Sequence, residues 1–147
     1  MTKQTSVPSI LYSDSDESSQ TFVKEWLRTS VRGCSLTCAN NGSEMLRVIE
    51  NRHFDVFLFD YCLGDMTAPK LCQISRKTDT TSPIIICSPF DREIDRRTAL
   101  DAGATDFIIK PSEFSRLATL IRGLQGIEGS RGKRRLFQRM RRAAAII

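Results

Sequence analysis

Phe54-Asp55-Val56-Phe57-Leu58-Phe59-Asp60 decides the fold. From Phe54 to Phe59 every residue but Asp55 is apolar. A run of that length without alternation suits a strand covered by helices on both faces, as in a parallel sheet. A carboxylate directly after Val-Phe-Leu-Phe is costly to bury unless something pairs with it, so Asp60 is the first candidate for a functional group.

Working outward, apolar runs of strand length alternate with segments of helical period, the pattern of βα units. Toward the N-terminus, Ile10-Leu11-Tyr12 leads into a helix expected over residues 18–29, with Phe22, Val23, Trp26 and Leu27 on its buried face. A second strand is expected over 34–38. Asn41-Gly42-Ser43 then reads as a turn and cap, before a helix whose stripe is Met45, Leu46 and Ile49.

Toward the C-terminus, a loop over 61–68 precedes a helix over 69–77, with Pro69 tolerated in its first turn. Pro83 opens the strand Ile84-Ile85-Ile86-Cys87, and a fourth helix over 91–102 stops at Gly103. Residues 106–109 form the fifth strand, and a last helix runs over 112–124 with Ser112 as its N-cap. Right-handed crossovers join five such units into an α/β doubly wound parallel sheet, flavodoxin-like in order 2-1-3-4-5, with helices on both faces. Ligands of such sheets bind beyond the carboxyl ends of the strands. Asp14, Asp60, Ser88 and Lys110 stand at those ends and would converge on one crevice.

Several stretches, in order, resemble the receiver domains of two-component signalling. Ile10-Leu11-Tyr12-Ser13-Asp14-Ser15-Asp16 resembles that family's first strand and acidic cluster, and Asp55 to Asp60 its phosphoacceptor strand. Leu63-Gly64-Asp65-Met66 is similar to the loop that follows, and Pro83 to Ser88 to the strand ending in a switch hydroxyl. Ala99-Leu100-Asp101-Ala102-Gly103-Ala104-Thr105-Asp106-Phe107-Ile108-Ile109-Lys110-Pro111 matches the family's most recognisable segment, and the resemblance covers residues 8 to 124.

The resemblance implies a phosphorelay signalling module rather than an enzyme. Asp60 would accept the phosphoryl group from a sensor histidine kinase or a histidine phosphotransfer protein. Mg²⁺ would be held by Asp14, Asp60 and the backbone carbonyl of Cys62, a set of hard oxygen ligands. Lys110 and Ser88 would contact phosphoryl oxygens, and Ser88 with the aromatic Phe107 would switch the face of helix 4, strand 5 and helix 5 toward a downstream protein. Four positions depart from the pattern. Ser15 stands where a second metal-binding aspartate is usual, Pro89 follows the switch hydroxyl, Ala68 replaces a glycine, and Phe107 lacks the commoner tyrosine hydroxyl. Ser15 brings no charge, which predicts weaker Mg²⁺ binding. The alternative is a degenerate pseudo-receiver acting as a constitutive interaction module.

Plainer readings exist for the same residues. Asp14 could cap a turn, Lys110 could be a solvated loop lysine, and Phe107 could be plain core. Other strand-end aspartate chemistry fits poorly: a phosphatase of the haloacid dehalogenase type needs a second acid where Cys62 stands. A flavin-binding reading also fits poorly, because no Gly-rich phosphate loop follows the first strand.

The chain of 147 residues suits one domain with a short appendage. No apolar run is long enough to span a bilayer, and residues 1–8, expected to be disordered, lack a signal-peptide core, so a cytoplasmic location is expected. The five cysteines, at 34, 38, 62, 72 and 87, read as reduced thiols. With His53 as the sole histidine they fall short of a structural zinc set.

The net charge of +5 resides in residues 125–147, where seven basic residues face only Glu128, leaving the body near neutral. Residues 125–132 read as a flexible linker. Beyond them Leu136, Phe137, Met140, Ala144 and Ile147 have the spacing of a basic amphipathic helix. Its partner would be nucleic acid, an anionic membrane surface or an acidic protein; a solvated tail is the plainer reading.

Overall fold

The computed structural model describes residues 7–79, 81–125, 127 and 129–146. Five strands, β1 (Ser9–Ser13), β2 (Ser35–Ala39), β3 (Val56–Asp60), β4 (Ile84–Ser88) and β5 (Asp106–Ile109), form one parallel sheet in the order β2-β1-β3-β4-β5. The helices are α1 (Glu17–Ser30), α2 (Gly42–Asn51), α3 (Ala68–Arg76), α4 (Glu93–Asp101), α5 (Phe114–Gln125) and α6 (Gly129–Ile146). Register is tight around the central strand: Leu11 lies opposite Phe57, and Asp60 opposite Cys87.

Side-chain alternation splits the core into two layers. Ile10, Tyr12, Val56 and Leu58 face α1 and α5, joining Val23, Leu27, Leu117 and Ile121. Leu11, Phe57 and Phe59 face the other way, with Met45, Leu71 and Ala99. Both faces of β3 are therefore buried, which is why its sequence shows no polar alternation.

Local signals set the helix starts. The Asp16 carboxylate accepts Ser19 N–H at 2.9 Å, Asn41 accepts Glu44 N–H at 2.8 Å, and Thr67 caps α3 with Pro69 in its first turn. Gly103 follows α4 at φ +106°, a backbone geometry that a side chain would strain.

Several expectations shift. Phe22, expected on the buried face of α1, is 53% exposed and stacks on Phe114 at 6.0 Å, because it sits where α1 overhangs the strand ends. Ser112 does not cap the last helix. Lys110 to Glu113 form a turn instead, Glu113 accepts Ile109 N–H at 3.0 Å, and α5 begins at Phe114. Of the eight residues expected to be disordered, residues 1–6 lie outside the described set. Pro8 is buried, and its carbonyl accepts Ser35 N–H at 2.8 Å.

The largest difference concerns the linker. Gly129 to Gly132 form the first turn of α6, which packs on the body rather than leaving it. Lys133 pairs with Asp55 at the foot of β3, Phe137 lies beside His53 and Ser82, and Leu136 sits over Gly123 of α5. Met140 and the buried Ala144 continue along α5 next to Asp106 of β5, the edge strand. Among the described residues, no helix is long and apolar enough to cross a membrane.

Candidate functional site at the carboxyl ends of the strands

Strand ends in a doubly wound sheet lie side by side, so four residues far apart in sequence meet. Asp14 follows β1, Asp60 ends β3, Ser88 ends β4 and Lys110 follows β5, and all four line one cleft of about 720 Å³. The Lys110 ammonium pairs with Asp60 Oδ1 and lies 3.3 Å from Asp14 Oδ2. Ser15, Tyr61, Cys62 and Pro89 line the same cleft, whose outer wall is aromatic: Phe22, Phe90 and Phe114.

The electrostatics follow from this packing. Burial pushes the Asp60 carboxyl above its ordinary range; Lys110 and the Cys62 backbone N–H pull it down, Asp14 adds to the rise, and the net direction is up. Burial disfavours the Lys110 ammonium, yet the two carboxylates outweigh it and keep the group charged. The cation thus stands in for part of the neutralisation that two neighbouring carboxylates require.

Asp14 is heavily engaged, at 2% exposure. Its Oδ1 accepts Asp16 N–H at 2.9 Å; its Oδ2 accepts the Tyr12 hydroxyl as well as Lys110. The Gln20 amide donates to its backbone carbonyl at 2.6 Å. Tyr12 lies two residues earlier on the same strand face, so its phenol reaches up from the core to this carboxylate. Burial and Asp14 push that phenol far above its ordinary pKa, so it remains a donor. The sequence carries the signal, a tyrosine two positions before an aspartate, but strand periodicity alone marks Tyr12 only as a strand residue.

The other expected residues fall as follows. Ser15 is exposed on the cleft, and Asp16 is used in capping α1. Cys62 is exposed, and a bridge to Thr67 fixes its backbone beside Asp60. The Ser88 hydroxyl accepts Phe90 N–H at 3.1 Å, a turn held by Pro89. Phe107 is 1% exposed, already inward. Tyr61 meets its ring edge-on at 6.3 Å and the Arg96 guanidinium sits 5.8 Å from its centroid, contacts that sequence spacing does not reveal. Asp65, in the loop after β3, accepts Gly42 N–H and Ser43 N–H at 2.9 Å each, tying that loop to the start of α2.

A doubly wound sheet with two carboxylates, an ammonium and a hydroxyl at its strand ends is the architecture of a signalling receiver. A sequence model described as the response regulator receiver domain matches residues 10–122, and the chain belongs to that family, the receivers of two-component systems. An uncharacterised transcriptional regulatory protein, YkoG, of Bacillus subtilis is 32% identical over 96 residues, covering 65% of this chain and 42% of that protein. The response regulator MprA of Mycobacterium leprae is 32% identical over 104 residues, 69% of this chain and 46% of MprA. The chain thus spans less than half the length of these two curated relatives. Among solved structures, the receiver domain of the Francisella response regulator 1452 superposes with a TM-score of 0.71 at 27% identity, covering 80% of this chain and 96% of that one. A two-component response regulator from Clostridium difficile gives 0.72 at 25% identity, covering 80% and 94%. Receivers of this family are signalling proteins that generally bind Mg²⁺ at the phosphorylation site and act between histidine kinases and downstream effectors.

Proposed function

We propose that the chain is a phosphoacceptor in a phosphorelay and that Asp60 takes the phosphoryl group from a sensor histidine kinase or a histidine phosphotransfer protein. The observation that carries this reading is the Lys110 ammonium, paired with Asp60 and facing Asp14 at the base of an open cleft. An Asp60 oxygen attacks phosphorus as the P–N bond to the donor imidazole breaks, and the imidazole keeps the electron pair and gains a proton. Lys110 supplies fixed positive charge to the phosphoryl oxygens, and the Ser88 hydroxyl retains its own proton to donate to one of them. Positioning and electrostatics supply the catalysis, so no general base is needed.

The donor set is all oxygen and suits a hard divalent cation: Asp14, Asp60 and the Cys62 carbonyl would hold Mg²⁺, with Ser15 able to hold a water. When bound, Mg²⁺ offsets the negative charge gathered around the transferred group. Phosphorylation adds about −1.5 to −2 charges. Ser88 and Phe107 are the switch residues through which this charge biases the face of α4, β5 and α5 toward a downstream protein. We take residues 9–124 as the receiver and residues 125–147 as its appendage. Five cysteines, none in a disulfide, support a reducing, cytoplasmic setting.

One observation favours a second reading, a pseudo-receiver that acts as a constitutive interaction module. Asp14 already accepts three donors at its carboxylate, and Ser15 offers no second acid. Acetyl phosphate with Mg²⁺, read by intact mass, separates the two. A phosphoryl increment lost in Asp60→Asn is expected; no increment on a folded chain establishes the pseudo-receiver.

A further inference from the structure

We propose that the arginine face of α6 is a binding surface for the phosphate backbone of double-stranded DNA, without regard to base sequence. Leu136, Phe137, Met140 and Ala144 turn toward the body, and Lys133 on the same side is paired with Asp55. At about 100° per residue, the opposite side presents Arg131, Arg134, Arg135, Arg139, Arg141 and Arg142 across an arc of roughly 160°. All six are exposed. Helix α6 contains no Asp or Glu, and among the described residues no carboxylate pairs with any of the six.

The three classes of anionic partner differ in what else they require. Seating a helix in a membrane interface buries its apolar face among the acyl chains, and here that face is occupied by the body. A protein interface draws most of its affinity from Trp, Tyr and Arg anchors seated in desolvated pockets at its centre, and this face offers arginine without either aromatic partner. Apart from arginine, this face carries only Gln138 and Ala143. A nucleic acid duplex asks only for a row of cations, since it presents one negative charge per about 1.7 Å of axis. From Arg131 to Arg142 the row is about 16 Å long at 1.5 Å per residue.

Guanidinium is the better cation for this task because its planar fork matches two phosphate oxygens at once. Arg134 and Arg141 lie on one flank of the row and Arg135 and Arg139 on the other, so the helix can contact both strands that border a major groove. The B-form major groove, about 12 Å wide, admits a helix, whereas the A-form groove of RNA is too narrow. Guanidinium pairing with phosphate oxygens carries no base information, so the proposed binding is to backbone.

The test uses the full chain and a fluorescein-labelled mixed-sequence DNA duplex of two turns, followed by anisotropy across a salt series. Neutralising about four phosphates gives a slope of log Kobs against log salt near −3.6, a loss of about 150-fold between about 50 and about 200 mM. The Arg135→Gln/Arg142→Gln double variant changes two exposed side chains and should retain the fold by circular dichroism. Its slope should fall to about −1.8, and the same salt step should then cost only about 12-fold. Failure to bind at low salt, an unchanged slope in the double variant, or tighter binding to double-stranded RNA, polyglutamate or phosphatidylserine vesicles would each overturn the proposal. It stands or falls apart from Asp60 chemistry, since the assay needs neither Mg²⁺ nor a phosphodonor.

Discussion

Tyr12→Phe tests how the site is built. The substitution keeps the ring that fills the α1/α5 layer and removes only the hydroxyl that donates to Asp14. A hydrogen bond to a charged group contributes about 1.5–3 kcal/mol. Asp14 would keep Lys110 and the Asp16 N–H, and no phenol would be left unpartnered, so the lower end applies, about 1.5 kcal/mol. For a chain of this size each kcal/mol moves Tm by about 2–4 °C, giving a fall of about 3–6 °C, readable through Trp26 fluorescence. The sign with pH follows from the raised phenol pKa: the contribution is fully present below the unfolded tyrosine value near pH 10 and is lost as pH rises beyond it. The wild-type advantage should therefore be flat from neutral pH to about 9 and shrink above about 10. Freed of one donor, Asp14 should bind Mg²⁺ more tightly, by up to about tenfold, which corresponds to 1.4 kcal/mol. An unchanged Tm would refute the hydrogen bond as a stabilising contact. A lowered Tm with unaltered Mg²⁺ affinity would refute its competition with the metal.

Two further outcomes are expected. Ser15→Asp adds a further carboxylate to a cleft already lined by Asp14 and Asp60, so it should lower Tm without metal and tighten Mg²⁺ by on the order of tenfold, by calorimetric titration; equal affinity would show that position 15 does not face the metal. Lys133→Met should cost about 1 kcal/mol at neutral pH in urea unfolding. Burial alone would raise the Asp55 carboxyl, but Lys133 and Ser9 outweigh it and hold it below its ordinary range. That stabilisation is present above about pH 4 and lost as pH falls through the depressed value, so equal differences at pH 7 and well below pH 4 would contradict the pairing.

The sheet was legible because burial on both faces leaves an unbroken mark, as in Val56 to Phe59, and because each strand ends on a polar residue or directly before one. Convergence of Asp14, Asp60, Ser88 and Lys110 followed from topology alone. Contacts between layers were not legible. Phe22 has the spacing of a buried residue, yet only the position of α5 reveals that it lies over Phe114 at the cleft mouth. The linker was misread for a related reason. Glycines at 129 and 132 suggest flexibility, but Gly132 is where the Ile127 side chain crosses α6, leaving no room for a Cβ. Glycine chosen for close approach and glycine chosen for freedom look the same in a sequence.

Because α6 lies against α5 and β5, it would compete with any protein that recognises the same part of α5. A protein that recognises this part of α5 meets it only in the fraction of molecules whose helix has lifted away, and its apparent affinity is weakened by that fraction. A ligand holding the arginine face, or a change at β5 that loosens Ala144, would alter the fraction without touching the partner. The apparent affinity of any such partner would follow how firmly Leu136, Met140 and Lys133 hold their places.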